Sequence, residues 1–142
     1  MTAIRILVVD DHAFMRRSIC SLLSQDPTMD VICETANGEE AVQKAEELQP
    51  DIVLLDISLP GISGIEAGRV IREVSPGSKI IFLSQHDSLH IVAEAMKAGG
   101  RGYITKGSAG TELVTAIRSV RDGFPFVSKD IVDQGWVLAP EG

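Results

Sequence analysis

The sequence predicts an α/β fold: five strands alternating with five helices in a doubly wound parallel sheet. Three observations predict it. Apolar runs such as Ile52-Val53-Leu54-Leu55 and Ile80-Ile81-Phe82-Leu83 show no in–out alternation, the mark of strands covered on both faces. Between the runs the apolar residues recur at helical spacing. Polar residues gather just past the C-terminal ends of the runs.

The first strand is Ile4-Arg5-Ile6-Leu7-Val8-Val9, ending abruptly in Asp10-Asp11. Met15, Ile19, Leu22 and Leu23 then form the stripe of an amphipathic helix, closed by Pro27. This stripe reads as core. Val31-Ile32-Cys33 is a short second strand, and Gly38 opens a helix with Ala41, Val42, Ala45 and Leu48 inward and Pro50 after its end. The third strand ends at Asp56, and Leu59-Pro60-Gly61 is turn chemistry. Ser63 is positioned to cap a helix carrying Ile65, Val70, Ile71 and Val74. After the Ser75-Pro76-Gly77-Ser78 loop, the fourth strand ends at Ser84. Ile91, Val92, Ala95 and Met96 mark a helix stopped by Gly99-Gly100, and Tyr103-Ile104 is a brief strand at the sheet edge before Thr105 and Lys106. Leu113, Ala116, Ile117 and Val120 define the last helix, ending near Asp122-Gly123.

Strict alternation of strand and helix implies right-handed crossovers with helices on both faces. In such sheets ligands bind outside the carboxyl ends of the strands, where strand order reverses. The flavodoxin-like order 2-1-3-4-5 puts that point between the first and third strands. It therefore brings Asp10 and Asp11 beside Asp56, with Ser84 and Lys106 arriving from the fourth and fifth strands.

The chain has 142 residues and is 44% hydrophobic, in keeping with one soluble domain. No apolar run approaches the roughly 18–20 residues of a membrane span. The N-terminus leads straight into a strand without a signal-peptide pattern, so a cytoplasmic location is expected. With 20 acidic against 13 basic residues, the chain lacks the cationic balance that nucleic-acid binding requires. Cys20 and Cys33 fit no metal spacing and read as buried free thiols. His12, His86 and His90 read as exposed side chains without metal spacing.

Three adjacent carboxylates repel one another, and a cation is the usual remedy. Mg²⁺ suits oxygen ligands of this kind, because it favours one or two carboxylates plus a phosphate oxygen. Asp56, at the centre, is a suitable nucleophile for a phosphoryl group. Lys106 supplies a point charge and Ser84 a hydroxyl for phosphoryl oxygens.

Val8-Val9-Asp10-Asp11, Leu54-Leu55-Asp56-Ile57-Ser58-Leu59-Pro60-Gly61, Leu83-Ser84 and Gly102-Tyr103-Ile104-Thr105-Lys106 resemble the receiver (CheY-like) domain of bacterial two-component response regulators. Leu83-Ser84-Gln85-His86-Asp87, Ala95-Met96-Lys97-Ala98-Gly99 and Ala116-Ile117-Arg118 resemble its NarL/FixJ (LuxR-type) branch. The resemblance implies that Asp56 accepts a phosphoryl group from a sensor histidine kinase, with self-phosphorylation and autodephosphorylation as its own chemistry rather than enzymatic turnover. It implies that Asp11, Asp56 and the Ser58 backbone carbonyl ligate Mg²⁺, with Asp10 holding it through water. Lys106 is expected to contact the phosphoryl group. Ser84 moves toward it and Tyr103 swings inward, which remodels the face built from the fourth helix, fifth strand and fifth helix. Dimerisation on phosphorylation is a further implication, through that face or the first and fifth helices.

The receiver is expected to occupy residues 1–123. Residues 124–142 break the pattern and read as a tail or the start of an interdomain linker, too short for the branch's helix-turn-helix. Pro140-Glu141-Gly142 reads as a cloning remnant, and Trp136 as a cover for an apolar patch. A fragment of a longer transcription regulator is favoured over a free-standing receiver.

Gly107 stands where many receivers carry a proline with a cis bond. A non-proline cis bond costs roughly 2.5–4 kcal/mol, so none is assumed. Gln85 is long where a small residue is common, and Ser58 and His86 stand at positions that tune dephosphorylation in the family. Other classes fit less well. A haloacid-dehalogenase-type phosphatase wants an aspartate where Ser58 stands. A flavin module wants a phosphate-binding loop where Asp10-Asp11 would repel phosphate. A non-phosphorylated scaffold leaves the full polar set without a use.

Overall fold

Each unalternated apolar run forms a strand and each periodic segment a helix. In the computed structural model, which describes residues 2–137, these are β1 (Ile4–Val9), α1 (Ala13–Ser24), β2 (Met29–Thr35), α2 (Gly38–Leu48), β3 (Ile52–Asp56), α3 (Gly64–Val74), β4 (Lys79–Ser84), α4 (Leu89–Lys97), β5 (Gly100–Thr105) and α5 (Ala109–Arg121). A short 3₁₀ turn, Lys106–Ser108, joins β5 to α5. All strand pairings are parallel, in the order β2-β1-β3-β4-β5 expected from the sequence.

The sheet then adds a strand that the sequence pattern did not reveal. β6 (Phe126–Val127) pairs in parallel with β5, and the one-turn helix α6 (Lys129–Val132) follows it. The first part of the segment expected to be a tail is thus packed onto the domain, with Val127, Ser128 and Ile131 buried. Two residues are too few to show a period, which is why the strand was not legible. β5 is consequently an interior strand of six residues, and Tyr103 does not lie on an edge. The reading of residues 140–142 as a cloning remnant lies outside the described residues.

Two apolar layers sandwich the sheet. One joins Ile6, Val8, Leu54 and Leu83 to Ile19 and Leu23 of α1 and Leu113, Ile117 and Val120 of α5. The other joins Leu7, Val9, Leu55, Phe82 and Tyr103 to Ala41, Ala45, Ala67, Ile71, Val92 and Ile131, with Trp136 half-buried against it. The same layers show where the helical stripes were misread. Val70 is 38% exposed, and the inward face of α3 is instead Gly64, Ala67, Gly68 and Ile71. Small residues there let α3 lie close to the sheet. A Cβ on Gly68 would sit 2.9 Å from Phe82 Cζ, and one on Gly64 would land on the Asp56 carbonyl oxygen.

Local chemistry sets the helix starts. Asn37 caps α2 by accepting from Glu40 N at 2.8 Å, and Ser63, the cap expected from the sequence, accepts from Glu66 N at 3.2 Å to start α3. Cys20 and Cys33 are half-buried free thiols rather than fully buried ones. Burial, with Glu34 beside it, pushes the Cys20 thiol up to about 11.

Gly64→Ala is expected to lower unfolding stability by about 1–3 kcal/mol, the usual cost of overpacking, because the added methyl meets backbone rather than a flexible side chain. Urea denaturation measures it; an unchanged midpoint would show that α3 is free to move away from β3.

Candidate functional site

The C-terminal ends of β1, β3, β4 and β5 deliver Asp10-Asp11, Asp56, Ser84 and Lys106 to one edge of the sheet. β1 lies between β2 and β3, so Asp10 and Asp56 come from neighbouring strands. Asp56 is held from two sides. Ile57 N donates to Leu83 O at 3.1 Å, tying β3 to β4, and Gly64 N donates to Ile57 O at 2.8 Å, tying α3 to the same point. Gly61, at φ 75°, turns the loop back, and Glu39 Oε1 accepts from Ile62 N at 3.0 Å to fix it.

Two of the carboxylates are deeply buried, and one lysine serves both. Lys106 Nζ lies 2.9 Å from Asp56 Oδ2 and 3.1 Å from Asp10 Oδ2, with side-chain exposures of 10%, 2% and 0% in turn. The contact to Asp56 is a hydrogen bond. That to Asp10 is an ion pair without hydrogen-bond geometry, which leaves Asp10 Oδ2 buried with no hydrogen-bond donor. Asp56 Oδ1 accepts from Ser58 N at 3.0 Å, and Asp10 Oδ1 from His12 N at 2.9 Å.

Burial pushes the Asp56 carboxyl up. Lys106 and the Ser58 amide pull it back and Asp10 pushes it further, with a net upward result. Burial alone would lower the Lys106 ammonium, but Asp56 and then Asp10 outweigh it and hold its pKa above the ordinary value.

Asp10, Asp11, Asp56 and His12 each offer one ligand atom, and these four atoms lie within 4.8 Å of one another. His12 was read as having no metal spacing, yet its Nδ1 is 3.2 Å from Asp10 Oδ1, 3.2 Å from Asp11 Oδ1 and 4.0 Å from Asp56 Oδ2. Its place as the N-terminal cap residue of α1, directly after the aspartates, is the signal that was available in the sequence. A buried carboxylate oxygen without a donor, in a set rich in hard oxygens, suits a small divalent cation.

Ser84 and Tyr103 lie behind this cluster. Ser84 is buried, and its Oγ accepts from His86 N at 2.9 Å. Tyr103 already points inward, fully buried, with its hydroxyl donating to His86 O at 2.8 Å. Burial raises its phenol, a hydrogen bond from Ser84 opposes that rise, and Asp87 adds to it. Ser58 and His86 meet at the rim, Oγ to Nε2 at 3.4 Å, while Gln85 is exposed. The described residues contain no cis peptide bond, and Lys106 opens the 3₁₀ turn directly.

The family described as the response regulator receiver domain matches residues 6–118. The chain is 38% identical over 131 residues to the response regulator GacA of Pseudomonas viridiflava, and 40% identical over 131 residues to the response regulator UvrY of Escherichia coli K12. These alignments take in 92% of this chain but only 61% and 60% of those proteins. The chain therefore spans about three-fifths of the length of these relatives. A LuxR-family two-component response regulator from Aurantimonas sp. SI85-9A1 superposes with a TM-score of 0.89 at 37% identity, covering 93% of this chain and 94% of that one. This is the branch that the sequence pointed to.

Without a divalent cation, the raised Asp56 pKa means that the folded domain keeps a proton the unfolded chain has already lost. Its contribution to stability is present below the ordinary carboxylate value and is lost as pH rises through the raised one. The stability advantage of Asp56→Asn over the unsubstituted chain is therefore expected to grow as pH rises through that window, in urea melts with chelator. A difference that is constant or shrinks with pH would contradict the buried-carboxylate account.

Proposed function

Since the chain belongs to the response regulator receiver domain family, we propose that Asp56 accepts a phosphoryl group from a phosphohistidine of a sensor histidine kinase, and that the domain thereby switches an output. The carrying observation is the single lysine that faces two buried aspartates at the strand ends. An Asp56 carboxylate oxygen forms the new P–O bond as the donor's P–N bond breaks, and the donor imidazole keeps the electron pair.

The other residues have roles set by where charge collects. Lys106, already within 3 Å of Asp56 Oδ2, is placed to shift its ammonium onto a phosphoryl oxygen. Asp11, Asp56 and the Ser58 carbonyl would hold Mg²⁺, with Asp10 orienting its water. When bound, Mg²⁺ supplies positive charge against the transferring group and the carboxylates. Asp10 keeps Lys106 in the site when Asp56 turns to the phosphoryl group. Ser84 donates to a phosphoryl oxygen, and the loop after it carries the change to Tyr103, which biases the face of α4, β5 and α5. Tyr103, buried with its hydroxyl on His86 O, is placed to hold the loop after Ser84 in its inward arrangement.

The output on this reading is transcription, through a helix-turn-helix domain outside this chain, with homodimerisation on phosphorylation. Among the described residues, no helix is long and apolar enough to cross a membrane.

Incubation with acetyl phosphate and Mg²⁺ tests the reading by intact mass. A single phosphoryl adduct is expected on the chain, none on Asp56→Asn, and none when the cation is chelated. Lys106→Ala should slow adduct formation by at least about tenfold, the loss of roughly 1.4 kcal/mol of charge stabilisation. An adduct on Asp56→Asn equal to that on the unsubstituted chain would overturn the assignment. No adduct on either would favour a non-phosphorylated scaffold.

A further inference from the structure

The imidazole beside the aspartates has no part in the phosphoacceptor chemistry above. His12 is the N-terminal cap residue of α1, and its backbone is fixed on both sides. Its N–H donates to Asp10 Oδ1 at 2.9 Å, and its carbonyl accepts from Arg16 N at 2.9 Å. The ring is thereby brought over the strand ends. Nδ1 stands 3.2 Å from Asp10 Oδ1, 3.2 Å from Asp11 Oδ1 and 4.0 Å from Asp56 Oδ2, while the side chain stays 58% exposed.

These separations are those of ligands around one ion. Donor atoms about 2.0–2.2 Å from a metal stand roughly 2.8–3.6 Å apart when adjacent, and up to about 4.4 Å when opposite. A hydrogen bond from Nδ1 to Asp10 Oδ1 is the other use open to the ring. Asp10 Oδ1 already accepts from the His12 amide, whereas buried Asp10 Oδ2 has no hydrogen-bond donor and one ammonium serves two buried aspartates. What the pocket lacks is positive charge. A neutral donor on Oδ1 leaves that shortage in place, and a cation between Nδ1 and the carboxylates relieves it. Lys106 takes one lone-pair direction of Asp56 Oδ2, and a carboxylate oxygen has a second.

The nitrogen decides which ions gain. Mg²⁺ takes oxygen ligands, keeps several of its waters and has little use for an imidazole. Ni²⁺ and Zn²⁺ bind imidazole well and lie toward the tight end of the divalent series. We propose that His12 Nδ1 joins Asp11 and Asp56 as a ligand when the pocket holds a late first-row transition ion of the Ni²⁺ and Zn²⁺ class, and not when it holds Mg²⁺. His12 is then a selectivity residue, giving the chain an affinity for such ions that the carboxylates alone do not supply. An ion held in this way occupies the place assigned to Mg²⁺ and competes with it. The proposal rests on the reading of this pocket as the cation site, but not on phosphoryl transfer.

Ni²⁺ is the probe and Mg²⁺ its control, in calorimetric titrations of the full chain at one fixed pH. The His12 side chain makes no capping hydrogen bond to α1, so its removal leaves the helix start intact. His12→Ala is expected to weaken Ni²⁺ binding by at least about tenfold and Mg²⁺ binding by less than about twofold. Asp11→Asn is expected to weaken both, which places both ions in one pocket. Proton NMR of the Ni²⁺-loaded chain should show a contact-shifted imidazole N–H that is absent from His12→Ala. Equal losses for the two ions in His12→Ala would mean that the ring only orders the carboxylates, and would overturn the proposal. Unchanged Ni²⁺ affinity in His12→Ala, or Ni²⁺ binding indifferent to Asp11→Asn, would overturn it as well. Intact mass after acetyl phosphate and Mg²⁺ is read on the same preparations. An adduct on the unsubstituted chain without His12-dependent Ni²⁺ binding leaves the phosphoacceptor reading standing and sinks the ligand. His12-dependent Ni²⁺ binding without any adduct does the reverse.

Discussion

One ammonium group facing two buried carboxylates is the interaction on which the rest of this structure depends. Isolated charges in a protein interior cost several kcal/mol each, and two adjacent aspartates are worse. Lys106 offsets part of that cost by pairing with Asp56 and Asp10 together. It does not remove it, as the raised Asp56 carboxyl and the undonated Asp10 Oδ2 show. The cluster is therefore a stored electrostatic tension, held in place by a well-packed sheet and ready to be relieved by added positive charge.

The surrounding fold can be understood as what keeps that tension in register. α3 is pressed close to β3 through Gly64 and Gly68, so the loop after Asp56 has little freedom. Glu39, from another helix, takes the Ile62 amide and fixes the same loop from outside. On the other side, α5 and the Ser128–Glu112 contact anchor the backbone at Thr105, one residue before Lys106. The carboxylates and the lysine are thus set by different elements that the sheet brings together.

Much of this was legible in the sequence, for a physical reason. Strands covered on both faces must be apolar throughout, so their ends are marked wherever a charged or polar residue first appears, as at Asp10, Asp56 and Ser84. Topology then brings those ends together. What was not legible depends on distance rather than type. Val70 looked inward by spacing, but the close approach of α3 favours glycine and alanine at the contact. His12 directly follows two aspartates, but its nearness to Asp56 comes from a strand far along the chain. β6 was too short to show a period. Its place is fixed by Ser128, whose partners lie on β5 and α5, and by Ile131, which joins the apolar layer containing Tyr103.

The central claim is that the Asp56–Lys106–Asp10 cluster is the resting form of a phosphoryl site. Its most direct test is a crystal structure of the domain grown with beryllofluoride and a divalent cation. The account predicts beryllofluoride bonded to an Asp56 carboxylate oxygen, the cation between Asp11 and Asp56, and Lys106 moved onto a fluoride while still paired with Asp10. Beryllofluoride missing from Asp56, with the cation bound and Lys106 unmoved on Oδ2, would contradict it.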